Sequence, residues 1–230
     1  MLLEFKIKNY KSFAEEAVFS MVAAPKQKGL DYSLMKTRVK GKEIKGLSSS
    51  VIYGPNASGK TNIIGAMDVL RSIVLRGNIR NSEEKSSPNP AAEALELIPN
   101  SDDTEGKPVC FSIEFYTGDA ENQFRILYEL EIDLGVFLNE DYPRRIISEN
   151  LFVNGEPVFQ RSGRLYLGNM KVIKGYLSGV TVQNPDSISE IAENSLSQDE
   201  HFLTNGFRLV DSPGFARLIA DWFADKFMII

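Results

Sequence analysis

The sequence has very little cysteine and no long apolar run. Its single cysteine, Cys110, excludes an internal disulfide. Because Cys110 lies in an alternating apolar stretch, we expect a small buried side chain and a reducing, cytoplasmic environment. No apolar run approaches the roughly 20 residues that span a bilayer, and the N-terminal MLLEFKIKNYKSF is too charged for a signal peptide. We therefore expect a cytoplasmic protein with no membrane partner.

Charge is distributed unevenly along the chain. Residues 1–60 carry 11 basic and 5 acidic side chains, whereas residues 61–230 carry 15 and 26. A basic N-terminal part suits polyphosphate and could also meet nucleic acid. The basic run KTRVKGKEIK, residues 36–45, is better interpreted as a solvated hairpin, and the acidic remainder argues against a DNA groove made by this chain alone.

Alternation of apolar and polar residues predicts an N-terminal set of strands, one helix and a later antiparallel set of strands. The helix runs to about Arg76, because Ile63, Met67, Leu70 and Val74 fall on one face. Asn154-Gly155 is a strong hairpin signal. The predicted strands are 2–8, 16–23, 33–40, 43–46, 50–53, 109–116 and 124–133, then RRIISENLFV with PVFQR, and RLYLG.

The predicted organisation is a single lobe, residues 1–230. It divides into a core at 1–76, a surface insertion at 77–107, an antiparallel β subdomain at 108–184 and a helical end at 185–230. The last residues, Phe227 to Ile230, are apolar. We expect a following protein segment to cover them.

The stretch VIYGPNASGKTN, residues 51–62, fits G-x-x-x-x-G-K-[ST] from Gly54 to Thr61, between an apolar strand and an amphipathic helix. Glycines let successive backbone N–H groups point at phosphate oxygens, and the helix N-terminus adds its positive end. Lys60 would reach the β and γ phosphates, and the Thr61 hydroxyl would bind Mg²⁺. The sequence therefore predicts a Walker A loop that takes ATP and Mg²⁺.

FKIKNYKSF at the N-terminus, followed by a strand, a basic hairpin and NASGKTN, resembles the ABC-type ATPases of the SMC, RecF and OLD branch. Most similar are bacterial AAA-family ATP-binding proteins linked to phage defence and toxin-antitoxin loci. The resemblance implies an α/β P-loop NTPase lobe, ABC-ATPase-like, with an antiparallel β subdomain and a helical C-terminal segment. It also places Asn9, Lys11 and Ser12 near the nucleotide. The predicted nucleotide-binding residues are Gly54, Asn56, Ala57, Ser58, Gly59, Lys60, Thr61, Asn62, Lys11 and Ser12.

The residues that complete hydrolysis in that family are not recognisable. Leu177-Ser178-Gly179 resembles the start of a signature helix but lacks the Gly-Gln that follows, and LYELEID alternates like a half-buried strand. His201, the only histidine, is interpreted as a surface or helix-capping residue. Candidates for the glutamine that bridges Mg²⁺ and water are Gln160, Gln183 and Gln198, by residue type alone. The catalytic residues stay unknown.

A second interpretation rests on FRLVDSPGF, where Asp211 to Gly214 gives D-x-x-G and suggests a GTPase. No N-K-x-D motif accompanies it. A helix start fits better, with Ser212 at the N-cap and Pro213 at the first position.

Two functions remain open. One is an ATPase that hydrolyses ATP only with a C-terminal lobe and as a homodimer, in DNA-related or antiviral work. The other is a non-hydrolysing ATP-sensing scaffold for an effector nuclease or toxin.

Overall fold

The structure, a computed structural model, describes residues 1–24, 29, 31–39, 42–56, 58–80, 95–118, 122–139, 142–176, 185–207 and 213–227. Among these residues, one antiparallel sheet contains seven strands: β1 Leu2–Lys8, β2 Ala17–Ser20, β5 Val109–Gly118, β6 Gln123–Asp133, β7 Arg145–Val153, β8 Glu156–Ser162 and β9 Arg164–Leu167. Their order across the sheet is β2-β1-β5-β6-β7-β8-β9. The described part of the chain is thus mixed α/β with a mostly antiparallel sheet and few helices.

Period-two alternation explains β5 and β6, as the sequence predicted. Phe111 and Ile113 on β5 are buried on the same face as Tyr128 and Leu130, their antiparallel partners on β6. Cys110 lies on the opposite face of β5 and is only half-buried, so the prediction of a buried cysteine was wrong. Burial and nearby Glu131 still raise the pKa of its thiol to about 11.

The β7–β8 hairpin turns where the sequence predicted. Asn154 and Gly155 both have positive φ, 55° and 86°. Two successive left-handed residues match the right-handed twist of the flanking strands. β9 then pairs with β8 and completes this edge of the sheet.

A separate two-stranded hairpin, β3 Leu34–Val39 and β4 Lys42–Leu47, follows a short 3₁₀ turn at Asp31–Ser33. It extends outward from β2, because Val22 bridges to Gly46 and the Leu47 amide donates to the Met21 carbonyl. Its predicted turn residue, Gly41, lies outside the described residues.

The predicted strand at 50–53 is not formed. Val51 and Tyr53 are 82% and 90% exposed, and only Ile52 packs partly against the core. An apolar triplet becomes a strand only when a neighbouring strand completes its backbone hydrogen bonds. Among the residues that the structure describes, β2 and β9 occupy the two edges of the main sheet and neither pairs with this segment.

Helix α1, Lys60–Arg76, lies against the core and ends at the predicted residue. Gly77, with φ 84°, caps it through a bond from its own amide to the Ile73 carbonyl. The buried face comprises Ile63, Ala66, Met67, Val69, Leu70, Ile73 and Val74. The predicted one-sided helix is therefore confirmed.

The C-terminal part contains α2 Pro185–Ser195, α3 Pro213–Asp221 and two π-helical turns, Phe202–Gly206 and Trp222–Lys226. Both turns hold α1. Arg71 of α1 donates to the Phe223 carbonyl at 2.8 Å and to the Ala224 carbonyl at 3.2 Å. Asn205 of the first turn donates to the Gly77 carbonyl at 3.0 Å.

His201 is completely buried, so the surface interpretation was wrong. It precedes the first π-helical turn, in a capping position, but its side chain makes no capping bond. Its Nε2 lies 3.1 Å from the Ile73 carbonyl oxygen and 3.0 Å from Thr204 Oγ1. The imidazole therefore joins the end of α1 to the first π-helical turn.

Glu149 of β7 lies beneath this turn and is also completely buried. Its carboxylate accepts from the amides of Phe202 at 2.6 Å and Leu203 at 2.9 Å, and from the Tyr128 hydroxyl at 3.0 Å. Burial acts to raise the pKa of Glu149, but His201 and the two amides outweigh it and hold that pKa below its ordinary value. A charged carboxylate thus anchors the turn that holds α1.

Several sequence interpretations lie outside the described residues. These are the signature-like Leu177-Ser178-Gly179, Gln183, Asp211 and Ser212, and the terminal residues 228–230. Gly214 lies in the first turn of α3, which begins at Pro213 as predicted for a helix start. No helix in the described ranges is long and apolar enough to cross a membrane.

Candidate functional site

The glycine-rich loop lies at the surface and leads directly into α1. Gly54, Asn56 and Ser58 are exposed, and Ala57 lies outside the described residues. Gly59 is the N-cap of α1 and has φ 82°, a left-handed conformation that favours glycine. A Cβ added at Gly59 would also stand only 3.1 Å from Ser12 Oγ and from Phe13 Cζ. Conformation and space both select glycine at this position.

The first turn of α1 carries backbone N–H groups that no side chain caps. Asn62 and Ile63 donate back to the Gly59 carbonyl at 3.0 and 3.1 Å, which leaves the amides of Lys60 and Thr61 ahead of the helical hydrogen-bond ladder. Uncapped amides and the positive end of the helix dipole favour an anion there. Thr61, the next residue of the helix, is exposed beside them.

Lys60 is held back over its own loop. Its Nζ donates to the Gly54 carbonyl at 2.8 Å and the Pro55 carbonyl at 2.5 Å, with Ser58 Oγ at 3.4 Å. These three oxygens together hold the Lys60 ammonium above the loop. The Lys60 ammonium thus lies over the glycine-rich loop at the start of α1.

The turn after β1, residues 9–13, packs against the loop. Asn62 Nδ2 donates to Ser12 Oγ at 2.7 Å, which joins the first turn of α1 to this segment. Asn9 and Lys11 have positive φ of 51° and 47°. Left-handed non-glycine residues are sparse and persist only when neighbouring structure holds them. The structure therefore brings Ser12 and Asn62 together with Gly59 and Lys60.

Residues 95–107 supply the contacts that hold this strained turn. Asn9 Nδ2 donates to Asp103 at 3.0 Å and to the Lys107 carbonyl at 2.6 Å. Asn100 Nδ2 donates to the Lys11 carbonyl at 2.6 Å. Burial acts to raise the pKa of Asp103, but Asn9 and the backbone amides of Glu105 and Lys107 lower it overall. The anchoring carboxylate is thus favoured in its charged form.

Lys11 points to a carboxylate in this structure. Its Nζ lies 2.5 Å from Glu96 Oε2 and 5.5 Å from the centre of the Tyr10 ring. Tyr10 itself is buried against α1, and burial together with Glu96 and Asp68 raises the pKa of its hydroxyl. The predicted phosphate contact of Lys11 stays a prediction.

One glutamine candidate lies far from the loop. Gln160 is exposed on β8, which is four strand spacings from β1 in the sheet. At roughly 4.8 Å per spacing, that separation is about 19 Å. Gln198 is exposed in the segment between α2 and the first π-helical turn. The position of neither Gln160 nor Gln198 identifies it as the catalytic glutamine.

A family model described as "AAA domain, putative AbiEii toxin, Type IV TA system" matches residues 49–167. The match covers more than half of the 230 residues and includes the loop, α1 and strands β5 to β9. The chain belongs to this AAA domain family. No curated protein and no solved structure matches the chain.

Membership in the AAA domain family gives the chain nucleotide-binding, ATPase-like character. The matched region begins eleven residues before Lys60 and so contains the whole glycine-rich loop. The turn at residues 9–13 lies outside the match, although the structure packs it on that loop. The matched region and the loop geometry therefore concern the same segment of the chain.

Sequence reasoning missed the role of residues 95–107, which it placed in a surface insertion. Leu95 and Leu97 are buried, and Asn100 and Asp103 order the turn beside the loop. Two sequence features indicated an ordered segment. Leucines alternate with a polar residue at 95–97, and the Asn-Ser-Asp-Asp run at 100–103 is of the type that forms side-chain-to-backbone hydrogen bonds.

Proposed function

We propose that this chain binds Mg-ATP through residues 54–62. The observation that carries the proposal is the left-handed Gly59 at the start of α1, with the Lys60 ammonium held over the loop by the Gly54 and Pro55 carbonyls. A bare helix N-terminus and a positioned ammonium are the two groups that a polyphosphate needs. Family membership supports a nucleotide as the anion.

The residues of the loop have separate tasks in this proposal. The amides at the start of α1 bind phosphate oxygens, and Lys60 exchanges two neutral carbonyl oxygens for a charged phosphate oxygen. Thr61 would hold Mg²⁺ through its hydroxyl. The bound Mg²⁺ would neutralise negative charge on the phosphate groups. Ser12 orients Asn62 and so fixes the first turn of α1 against the turn at residues 9–13.

We propose further that turnover needs a second protein element. Stabilising a transferring phosphoryl group requires positive charge and a positioned water on the side that faces away from the loop. The described residues present only the loop side. A C-terminal lobe and a homodimer partner would supply the rest, so this chain alone should bind ATP better than it hydrolyses ATP.

The alternative is an ATP-sensing scaffold that does not hydrolyse ATP and that regulates an effector nuclease or toxin. The observation that favours it is the description of the family, which names a toxin and a toxin-antitoxin system. The surrounding genome separates the two functions. A downstream in-frame strand ending in Asp-Glu supports the ATPase, whereas an adjacent effector gene supports the scaffold.

Calorimetric titration with Mg-ATP tests the nucleotide site. Lys60→Ala removes one charge-assisted contact to phosphate, which is about 3 kcal/mol or roughly a hundredfold in affinity. Lys171→Ala, an exposed lysine on the 3₁₀ segment Met170–Tyr176, is the matched control and should bind like the parent. Unchanged affinity in Lys60→Ala contradicts the assignment of the loop.

A further inference from the structure

The β3–β4 hairpin presents a basic face to solvent. The register places Lys36 directly opposite Lys45, and Arg38 opposite Glu43. All four side chains are exposed, with 43% of each of the two lysine side chains accessible. The opposite face turns to the main sheet, where Thr37 Oγ1 donates to Gln123 Oε1 at 3.4 Å. The hairpin thus has one docked face and one free, cationic face.

This basic face is remote from the glycine-rich loop. The hairpin joins the start of β1, because a Cβ on Gly46 would meet Met1 Sδ at 2.8 Å. The loop contacts Ser12, beyond the other end of β1. β1 has seven residues, so the two features are about 23 Å apart. The hairpin charges therefore cannot serve a nucleotide in the loop.

Two of the three cations on this face have an acidic partner, and both pairs are exposed. Lys36 pairs with Asp31 at 3.2 Å and Lys45 with Glu43 at 3.6 Å, both as exposed pairs that solvent screens. Arg38 forms no ion pair with any residue that the structure describes. Like charges placed directly opposite on neighbouring strands repel each other. A polyanion on this face would relieve that repulsion.

The sequence of the hairpin region also has a net positive charge. Residues 31–47 contain five basic and two acidic side chains, in a chain whose net charge is −5. Tyr32, in the 3₁₀ turn that precedes β3, is 84% exposed and offers an aromatic surface on which a base can stack. Clustered cations with an exposed aromatic ring are the elements of nucleic-acid contact.

We propose that the outer face of the β3–β4 hairpin, formed by Lys36, Arg38 and Lys45, binds the phosphodiester backbone of a nucleic acid. This contact is separate from the nucleotide site and does not depend on it. Backbone contact alone carries no sequence information, so binding should depend on salt and not on sequence.

Fluorescence anisotropy with a 30-nucleotide single strand and a duplex of the same length tests the proposal. The variant K36Q/R38Q/K45Q should bind at least tenfold more weakly in 50 mM salt. For the duplex, its slope of log affinity against log salt should fall by about 2.7, or 0.9 for each cation. The two probes distinguish single-stranded from double-stranded nucleic acid.

Two further variants make the test decisive. R164Q/K171Q/K174Q removes the same charge from exposed positions elsewhere and should bind like the parent. D31N/E43Q frees the hairpin lysines and should bind more tightly. The proposal is overturned if the parent binds neither probe, if both triple variants lose affinity equally, or if polyglutamate displaces DNA at equal charge concentration. Circular dichroism checks that each variant is folded.

Discussion

Glu149→Gln should destabilise the fold strongly although it keeps the shape of the side chain. Glu149 Oε1 accepts from the Leu203 amide and the Tyr128 hydroxyl, and Oε2 accepts from the Phe202 amide at 2.6 Å. In glutamine one oxygen becomes NH₂. The new NH₂ then either faces the Phe202 N–H, so that two donors oppose each other, or rotates towards the Leu203 N–H and removes that bond, since only the Tyr128 hydroxyl can act as an acceptor.

The loss in the free energy of unfolding has two sources: the lost negative charge and a buried backbone N–H that is left without an acceptor. A hydrogen bond to a charged group contributes about 1.5–3 kcal/mol, and a buried donor left unsatisfied costs about 1–3 kcal/mol. Arg161, whose NH1 lies 3.7 Å from Oε2, also loses its buried counter-charge. Together these predict a loss of about 3–5 kcal/mol, or roughly 10 °C in the melting temperature of a domain of this size.

The assay is urea denaturation as a function of pH, followed by tryptophan fluorescence. His201 and the amides of Phe202 and Leu203 hold the pKa of Glu149 below its ordinary value in the folded protein, although burial opposes them. Its ionised form therefore stabilises the fold fully above the unfolded value, and this contribution is lost as the pH falls through the folded pKa. The difference between parent and variant should be constant from pH 6 to 8 and should shrink as the pH falls below the ordinary pKa of a glutamate, about 4.3.

Glu129→Gln is the matched control. Glu129 lies on the neighbouring strand β6, is half-buried, and has one long contact of 3.5 Å to Asn150. Its replacement should change the free energy of unfolding by no more than about 0.5 kcal/mol. A loss below 1 kcal/mol in Glu149→Gln, or a gap that does not depend on pH, would refute the role of this carboxylate.

Two further stability changes follow from the contacts of α1 and of the turn after β1. Arg71→Ala removes the bonds to the Phe223 and Ala224 carbonyls and should cost about 2 kcal/mol, with Arg71→Lys intermediate, by thermal denaturation. Tyr10→Phe should stabilise by up to about 1 kcal/mol, because the buried hydroxyl has no hydrogen-bond partner within the described residues. Loss of stability in Tyr10→Phe would show that its hydroxyl has a partner after all.

The sequence predicted those elements in which local pattern and tertiary environment agree. The alternation in β5 and β6, the one-sided apolar face of α1 and the Asn154-Gly155 turn each satisfy a local rule that the fold also uses. The glycine-rich loop was equally readable, because its backbone conformation requires glycine at position 59.

Elements that depend on distant partners were not readable. The strand predicted at 50–53 does not form, because a strand requires a neighbouring strand to complete its hydrogen bonds. The apolar residues themselves do not reveal whether such a neighbour exists. His201 and Glu149 are separated by 52 positions and become buried together only when the first π-helical turn lies over β7. Asn9 and Asp103 likewise meet through tertiary structure alone. The local sequence shows that a residue is polar, but it does not show which distant residue will contact that side chain in the folded protein.

The most direct measurement of the nucleotide site is a backbone amide NMR titration of the chain with Mg-ATP. We expect the largest shift changes at residues 54–62, including the amides of Lys60 and Thr61, with smaller changes at Lys11 and Ser12. ADP should affect the same amides, and Lys60→Ala should remove the response. Changes centred on any other part of the chain, with the α1 N-terminus unaffected, would contradict the account.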